Sequence, residues 1–371
     1  MTRRRVTIAG GGIAGLAAAA ALARRGHAVT LAERAPALRE EGAGLQISPN
    51  GFAVLDAIGA GDATRARAIR TRAVRLIDGL SGREVLTLDL ARHAPDLDFL
   101  LMHRGDLLGV LASVARAEGV VIEMRRAVAP PTDGAALPGD DLLIGADGIG
   151  SAVRQVVAPG APTFTGQVAW RALVPDEAGG DVVEVHMGPR RHLVTYPLPG
   201  DLRNIVAVEE RDTWTAEGWH HPGEAQDLRR AFAGFAAPVR DLLSCVEQTK
   251  LWGLFRHPVP DDWHRGAQVL IGDAAHPTLP FLAQGANLAL EDAVALAHLV
   301  SQGREAEIGR VRGPRVRRAL SAAEANARNY HLAHPAIRAT AFAALRSANR
   351  IAPARALARF DWLYRYGVIP D

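Results

Sequence analysis

The stretch HLVTYPL (His192–Leu198) carries two side chains able to move a proton, the imidazole of His192 and the phenol of Tyr196. Side chains alternate along a strand, so His192, Val194 and Tyr196 share one face. At roughly 3.3 Å per residue the ends of that row lie about 13 Å apart, a separation that brackets one aromatic ring. An unperturbed imidazole titrates near about pH 6.5, which suits His192 to take a proton from a bound hydroxyl, with Tyr196 positioning the ligand or relaying the proton. The same residues also read as a structural strand histidine and a packed aromatic before Pro197.

Other chemistry sits at the two ends of the chain. Residues 6–9 (VTIA) read as a buried strand, GGGIAG places Gly10, Gly12 and Gly15 in G-x-G-x-x-G spacing, and a helix is expected to about Arg25. A second strand, Ala28–Leu31, ends at Glu33. Strand, glycine turn, helix, strand and an acid roughly 20 residues on are the full context of a dinucleotide site. Late in the chain, IGDAAHPTLPFLAQGANLALEDA (271–293) offers Asp273, an acceptor-only carboxylate suited to a ligand rich in hydroxyls. Gly285 lets backbone approach a flat ligand closely. The first free N–H groups of the helix expected from about Ala286 to Leu299 favour negative charge. A flavin fits the late stretch, whereas the amino-terminal fingerprint by itself suits FAD and NAD alike.

Composition narrows the class. With 371 residues and 48% hydrophobic side chains, one large or two moderate domains can bury a sizeable core. The net charge is only +3, Lys250 is the single lysine, and the arginines of 310–318 are spaced as the solvated outer face of a helix. No basic patch interleaved with aromatics is present, so no nucleic-acid partner is expected. Cys245 is the sole cysteine, in a context (LLSCVEQ) that reads as helix interior; no internal disulfide is possible and a reducing cytoplasm is expected. His220, His221, His331 and His334 lack an acid or cysteine to complete a ligand set, so no metal is expected. Arg3–Arg5 and the apolar residues after them imitate a signal peptide, but three glycines interrupt the run. No stretch of about 18 apolar residues suggests a membrane span.

The elements that must position these groups follow in order. Glu40–Gly59 reads as a glycine-rich loop and a helix capped by Ser48 or Asn50. Strands are expected near 72–78 and 83–88, then Arg104, a helix Leu107–Ala117 capped by Asp106, and strands Val120–Glu123 and Leu142–Ile144. GADGIGSAVR makes a sharp turn at Asp147 and Gly148 into a helix holding Ser151 and Arg154. Pro130–Asp140 reads as loop, and from Thr163 to about Ala207 the period is two. An aromatic, polar stretch (Trp214, Trp219, His220, His221) precedes a helix from about Gln226 to Cys245. The tail 304–371 is helical.

Four matches in one order, GGGIAG with Glu33–Arg34, Arg104, GADGIGSAVR and IGDAAHPTLPFLAQGAN, resemble the single-component FAD-dependent aromatic hydroxylases, the class that includes p-hydroxybenzoate hydroxylase. The resemblance covers nearly the whole chain. GAGLQISPN, the His192–Pro197 motif, LPFLAQGA and the closing DWLY look like the branch containing salicylate hydroxylase, 3-hydroxybenzoate 6-hydroxylase and 6-hydroxynicotinate 3-monooxygenase. The fold so implied is α/β: a Rossmann-like FAD-binding domain (1–70, 100–160, 267–303) interleaved with a β-sheet substrate domain (71–99, 161–266), plus C-terminal helices (304–371).

The resemblance further implies that Glu33 and Arg34 hold the adenosine end of FAD, Arg104 its phosphate region and Asp273 its ribityl chain. Asp147 belongs to a motif linked to FAD and NAD(P)H; Gly285, Ala286 and Asn287 flank the isoalloxazine; Gly10, Gly12, Ala14, Gly15, Gly44 and Pro280 complete the cofactor set. NADPH or NADH visits transiently, without a fingerprint of its own. The implied reaction takes up O2 as a flavin C(4a)-hydroperoxide and hydroxylates an aromatic or N-heteroaromatic, phenolic or acid, substrate. His192 is then the base, with Tyr196 beside it and Gln46 on the opposite wall, in a monomer or homodimer with no membrane partner. Two departures stand out: 125–140 is shorter than the usual meander, and Phe281 replaces a polar substrate contact of some relatives. Two other functions use the same scaffold, a reductase or dehydrogenase akin to geranylgeranyl reductases and a flavin-carrying sensor without turnover.

Overall fold

Near-continuous apolar runs build the first sheet of the computed structural model, which describes residues 3–38, 44–212 and 220–367. Strands Val121–Met124, Ala28–Glu33, Arg5–Ala9, Leu142–Gly145 and Gln268–Leu270 lie parallel in that spatial order, with His264–Arg265 antiparallel at the far edge. Val6, Ile8, Ile144 and Val269 are at most 1% exposed, as strands covered on both faces require. Helix Ile13–Ala23 is buried from Ile13 to Leu22, an all-round apolar helix packed against both Arg104–Ala117 and Gly285–Ser301. Three turns open at the same carboxyl edge of this sheet: Gly10 after the first strand, Asp147 after Leu142–Gly145, and Asp273 after Gln268–Leu270. That edge is where parallel α/β sheets bind ligands.

The period-two segments form an eight-stranded sheet in the order His220–Gly223, Thr249–Arg256, Thr163–Pro175, Leu202–Glu210, Arg191–Leu198, Val182–Gly188, Ala73–Asp78, Glu84–Asp89. All neighbours are antiparallel except Val182–Gly188 with Ala73–Asp78. A chain segment from before residue 100 thus completes a sheet built mostly after residue 160. A third, small sheet joins Gly44–Ile47, Leu100–His103 and Ile69–Arg70. Helix Ile308–Tyr330 packs on Gly285–Ser301 and on the turn Pro280–Leu282, while Pro335–Ile351 and Pro353–Ala358 pack on Glu84–Asp89.

Several local expectations are corrected. The single helix expected over 226–245 is two, Ala225–Ala231 and Ala237–Ser244, the second restarting with Pro238 in its first turn, where a missing N–H costs nothing. Cys245 is exposed at the end of that second helix, not inside one. Asp106 lies within the first turn of Arg104–Ala117, whose N-cap is His103. Ser151 is the N-cap of Ala152–Val157 and accepts from the Arg154 amide. In the 310–318 arginine run, Arg310, Arg317 and Arg318 are exposed, but Arg312 and Arg315 are buried against Glu291 and Asp292. Trp214 and Trp219 lie outside the described residues. No strand interrupts 125–141.

Candidate active site

Gly10 makes the amino-terminal turn at φ +105°, and a Cβ there would stand 2.4 Å from the Ala146 carbonyl oxygen. Only glycine tolerates both that dihedral and that approach. Gly12 is the N-cap of Ile13–Ala23 and Gly15 packs on the Gly10 carbonyl. Glu33 accepts from the Gly11 amide at 2.6 Å and the Ala35 amide at 2.7 Å, which leaves further lone pairs on each oxygen. A cavity of about 420 Å³ runs from Glu33 and Arg34 past Gly10, Gly12, Ala14 and Asp147 to Arg104, Asp273, Gly285 and Ala286. Arg126, Ala127 and Val128 form part of its wall, a contribution that the loop-like sequence of 125–140 did not announce.

The turns that carry the acids are tied down by buried polar groups. Asp147 accepts from the Ser151 hydroxyl and from the Ala152 amide at 2.8 Å. Arg154 is 3% exposed and donates to the carbonyls of Ala274 and Ala275, each at 2.8 Å, and of Pro258 at 2.9 Å. Asp292 accepts from the Gly272 amide at 3.0 Å and bonds the His276 ring, so His276 shapes the loop. Asp273, between these anchors, opens onto the cavity while protein surrounds it on its other sides. Burial pushes its pKa up, partly opposed by the charges of Arg104 and His276.

A second cavity, of about 330 Å³, shares Arg104, Asp273, Gly285 and Ala286 with the first and adds Gly44, Gln46, Pro280, His192, Val194 and Tyr196. The alternation read from HLVTYPL does bring its three side chains to one cavity. Gly285 approaches Thr278 so closely that a Cβ would lie 2.5 Å from its hydroxyl. Ala283 just before it takes a left-handed φ of 51°, and the helix then starts with its first amides at the junction of the two cavities. Asn287 lines neither. Its buried side chain accepts from the Ser48 amide at 3.0 Å and donates to the carbonyls of Gln46 at 3.1 Å and Ala283 at 2.8 Å, holding the two walls together.

His192 is 1% exposed and its pKa lies well below the usual imidazole value, chiefly through burial and then through His331. Its Nδ1 is 2.7 Å from Nε2 of His331, whose own Nδ1 is 2.9 Å from Glu210 Oε1. Phe281 covers it with ring centroids 5.4 Å apart. Burial raises the Tyr196 pKa, with Arg171 acting the other way. Arg171 and Trp252 also line the cavity. Sequence reasoning singled out neither of these and treated His331 only as a metal candidate. Glu210 carried one readable signal, since it sits at even spacing from Val206 and Val208, the cross-strand partners of Val194 and His192.

Comparisons with known proteins agree with this geometry. Residues 3–136 and 140–305 match the family described as FAD binding domain. The chain is 36% identical over 314 residues to the 3-amino-4-hydroxybenzoate 2-monooxygenase of Streptomyces cremeus, covering 79% of this chain and 77% of that one. It is 34% identical over 310 residues to the 3-hydroxybenzoate 6-hydroxylase of Polaromonas naphthalenivorans, covering 78% of each. The chain belongs to the FAD-dependent aromatic hydroxylases. The solved structure of Klebsiella pneumoniae HpxO complexed with FAD and uric acid superposes on this hydroxylase with a TM-score of 0.79 at 26% identity, covering 94% of both chains.

The enzyme is therefore a flavoprotein monooxygenase, with NADPH or NADH as the family's usual reductant, and the reductase reading is not favoured. Its residues fit FAD on their own terms: a turn closed to any Cβ at Gly10, carboxylate acceptors at both ends of the cavity, and the Arg104 cation at the Asp273 end. Among the described residues no group of three or more His, Cys, Asp or Glu could hold a metal ion. None of their helices is long and apolar enough to cross a membrane.

Proposed function

We propose that this hydroxylase adds one oxygen atom of O2 to a single-ring phenolic aromatic or N-heteroaromatic acid held in the cavity beside His192. The observation that carries this reading is the meeting of the two cavities at Arg104, Asp273, Gly285 and Ala286. A cofactor lying along the first presents its end to the second. Glu33 and Arg34 would hold the adenosine end of FAD, Arg104 its diphosphate and Asp273 its ribityl hydroxyls. The free amides at Gly285 and Ala286 would favour negative charge on the ring edge. FAD bound there supplies, once reduced by NADPH or NADH, the activation of O2.

The chain's own residues supply the rest. A volume of about 330 Å³ is at the lower end of small-molecule sites, about 300–1,000 Å³, which favours one ring. Arg171 gives the cavity a cation for a carboxylate. His192 takes the substrate's hydroxyl proton at Nε2 and so enriches the ring in electrons. Tyr196 orients the ring, Gln46 closes the opposite wall, and Phe281 with Val194 keeps water from the base. The substrates in the relatives' names, 3-amino-4-hydroxybenzoate and 3-hydroxybenzoate, head the set to test. A screen of such acids for stimulated NAD(P)H oxidation, with O2 uptake and a product one oxygen heavier, is expected to find a substrate. Reduction of an acceptor without O2 would refute the proposal. His192→Ala is expected to uncouple NAD(P)H oxidation from hydroxylation, and full coupling in that variant removes His192 from the chemistry.

A further inference from the structure

Behind His192 stands a chain of groups that no cavity wall requires. Nδ1 of His192 meets Nε2 of His331 at 2.7 Å, and Nδ1 of His331 meets Glu210 Oε1 at 2.9 Å. The three residues come from strand Arg191–Leu198, from the end of strand Leu202–Glu210, and from the C-terminal cap of helix Ile308–Tyr330. Exposure rises along the row: His192 is buried at 1%, and of the other two side chains His331 is 2% exposed and Glu210 32%. The row thus leads from the cavity to the surface. Resting on the reading of His192 as the substrate's base, we propose that His331 and Glu210 carry the substrate's proton from His192 to solvent.

The hydrogen-bond chemistry sets the direction. An ionised carboxylate only accepts, so His331 donates Nδ1–H to Glu210 and offers the lone pair of Nε2 to His192. His192 then donates Nδ1–H and keeps the Nε2 lone pair for the cavity. When Nε2 takes the substrate's proton, an O–H bond breaks and an N–H bond forms. The Nδ1 proton of His192 passes to Nε2 of His331, the Nδ1 proton of His331 passes to Glu210, and Glu210 releases a proton to water. One proton enters and one leaves. Reverse passage reprotonates the phenolate of the product and restores both tautomers.

Without the relay, the proton would stay on a buried imidazole. The rings of Phe281 and Tyr330 lie 5.4 and 5.3 Å from that of His192, and an ion there has little solvation. The charged groups around the row fit transfer outward. Glu210 Oε2 accepts from Arg190 Nε at 3.0 Å, and Arg190 also pairs with Asp212 at 3.5 Å. Arg191, the charge opposing a cation on His331, lies 3.9 Å from Glu209. His331 is held in register by its carbonyl, which accepts from the Arg190 amide at 3.1 Å. His331 and Glu210 are positioning and relay residues, acting on the substrate through His192.

The test uses the FAD-loaded enzyme with 3-hydroxybenzoate, or the acid chosen by the screen above, and the variants His331→Gln, Glu210→Gln and His192→Gln. Glutamine keeps hydrogen bonding at each place and removes the titrating group. Phenolate formation on binding is read by ultraviolet difference absorbance, and hydroxylation is followed against pH. His331→Gln is expected to lose the phenolate signal at pH 7 and move the lower limb of the profile up by about one unit, a tenfold loss there, with FAD content and substrate affinity unchanged. Glu210→Gln, at the solvent end, is expected to show a smaller shift of the same sign and decides the matter if His331→Gln does not fold. Wild-type profiles in both variants, alongside a lost signal in His192→Gln, would overturn the relay and leave His192 as base. A wild-type signal in His192→Gln would overturn the base reading itself.

Discussion

Replacing Arg312 with leucine tests what holds the late aspartate turn in place. Arg312 is fully buried and donates from Nε to Asp292 at 2.8 Å and from Nη2 to Glu291 at 2.6 Å, with both acids 0% exposed. Glu291 keeps a second cation, Arg315, at 2.6 and 2.7 Å. Asp292 keeps, among the described residues, His276 and the Gly272 amide. Leucine retains bulk and removes the charge, and breaking one side of a buried pair costs about 3–5 kcal/mol. The second arginine on Glu291 places this case near the lower figure, about 3 kcal/mol. At roughly 2 °C per kcal/mol for a large chain, the melting temperature is expected to fall by about 6 °C. Arg317→Leu, which loses an exposed pair with Asp261 and a long hydrogen bond to the Pro260 carbonyl, is the control, worth at most about 1 kcal/mol.

The pH dependence sharpens this test. Burial alone would raise the Asp292 pKa, but the charges and hydrogen bonds of His276 and Arg312 outweigh it and hold the carboxyl below its ordinary value. A lowered folded-state pKa contributes stability that is complete above the unfolded value, about 3.9, and is lost as pH falls through the folded one. The gap between wild type and Arg312→Leu, measured by thermal melts with excess FAD, is therefore full at pH 7 and narrows below about pH 4. Equal melting temperatures at pH 7, or a gap that widens in acid, would refute the reasoning.

Two further substitutions probe the cofactor cavity. Asp273→Ala is expected to lower the FAD-to-protein ratio of the purified enzyme without a large loss of fold, and an unchanged flavin content removes Asp273 from cofactor retention. Gly10→Ala puts a methyl 2.4 Å from the Ala146 carbonyl at φ +105°, a strain of about 1–3 kcal/mol; both melting temperature and bound FAD should drop, and a variant equal to wild type in both contradicts the turn geometry.

Much of the site was legible because its signals are local. Gly10, Gly12 and Gly15 with Glu33 form a contiguous strand–turn–helix–strand unit whose pattern is set by neighbours in sequence. Period-two alternation was enough to put His192, Val194 and Tyr196 on one face. The arginines of 310–318 show where such reading stops: helical spacing gives a face, but burial of Arg312 and Arg315 depends on Glu291 and Asp292 of another helix. The helix expected through 226–245 is divided for a local reason, Gly234 and Pro238 at the break between its two halves.

The chain's residues alone determined a dinucleotide turn, a late carboxylate loop, an α/β alternation and a proton-active strand, because each rests on backbone chemistry and short-range periodicity. Folding decided that the Gly10, Asp147 and Asp273 turns share one sheet edge, that Asn287 braces two cavity walls instead of lining one, and that His331 reaches His192 across 139 positions. Such pairings depend on how sheets and helices stack, and no interval in the sequence encodes a distance between elements that meet only when the core closes.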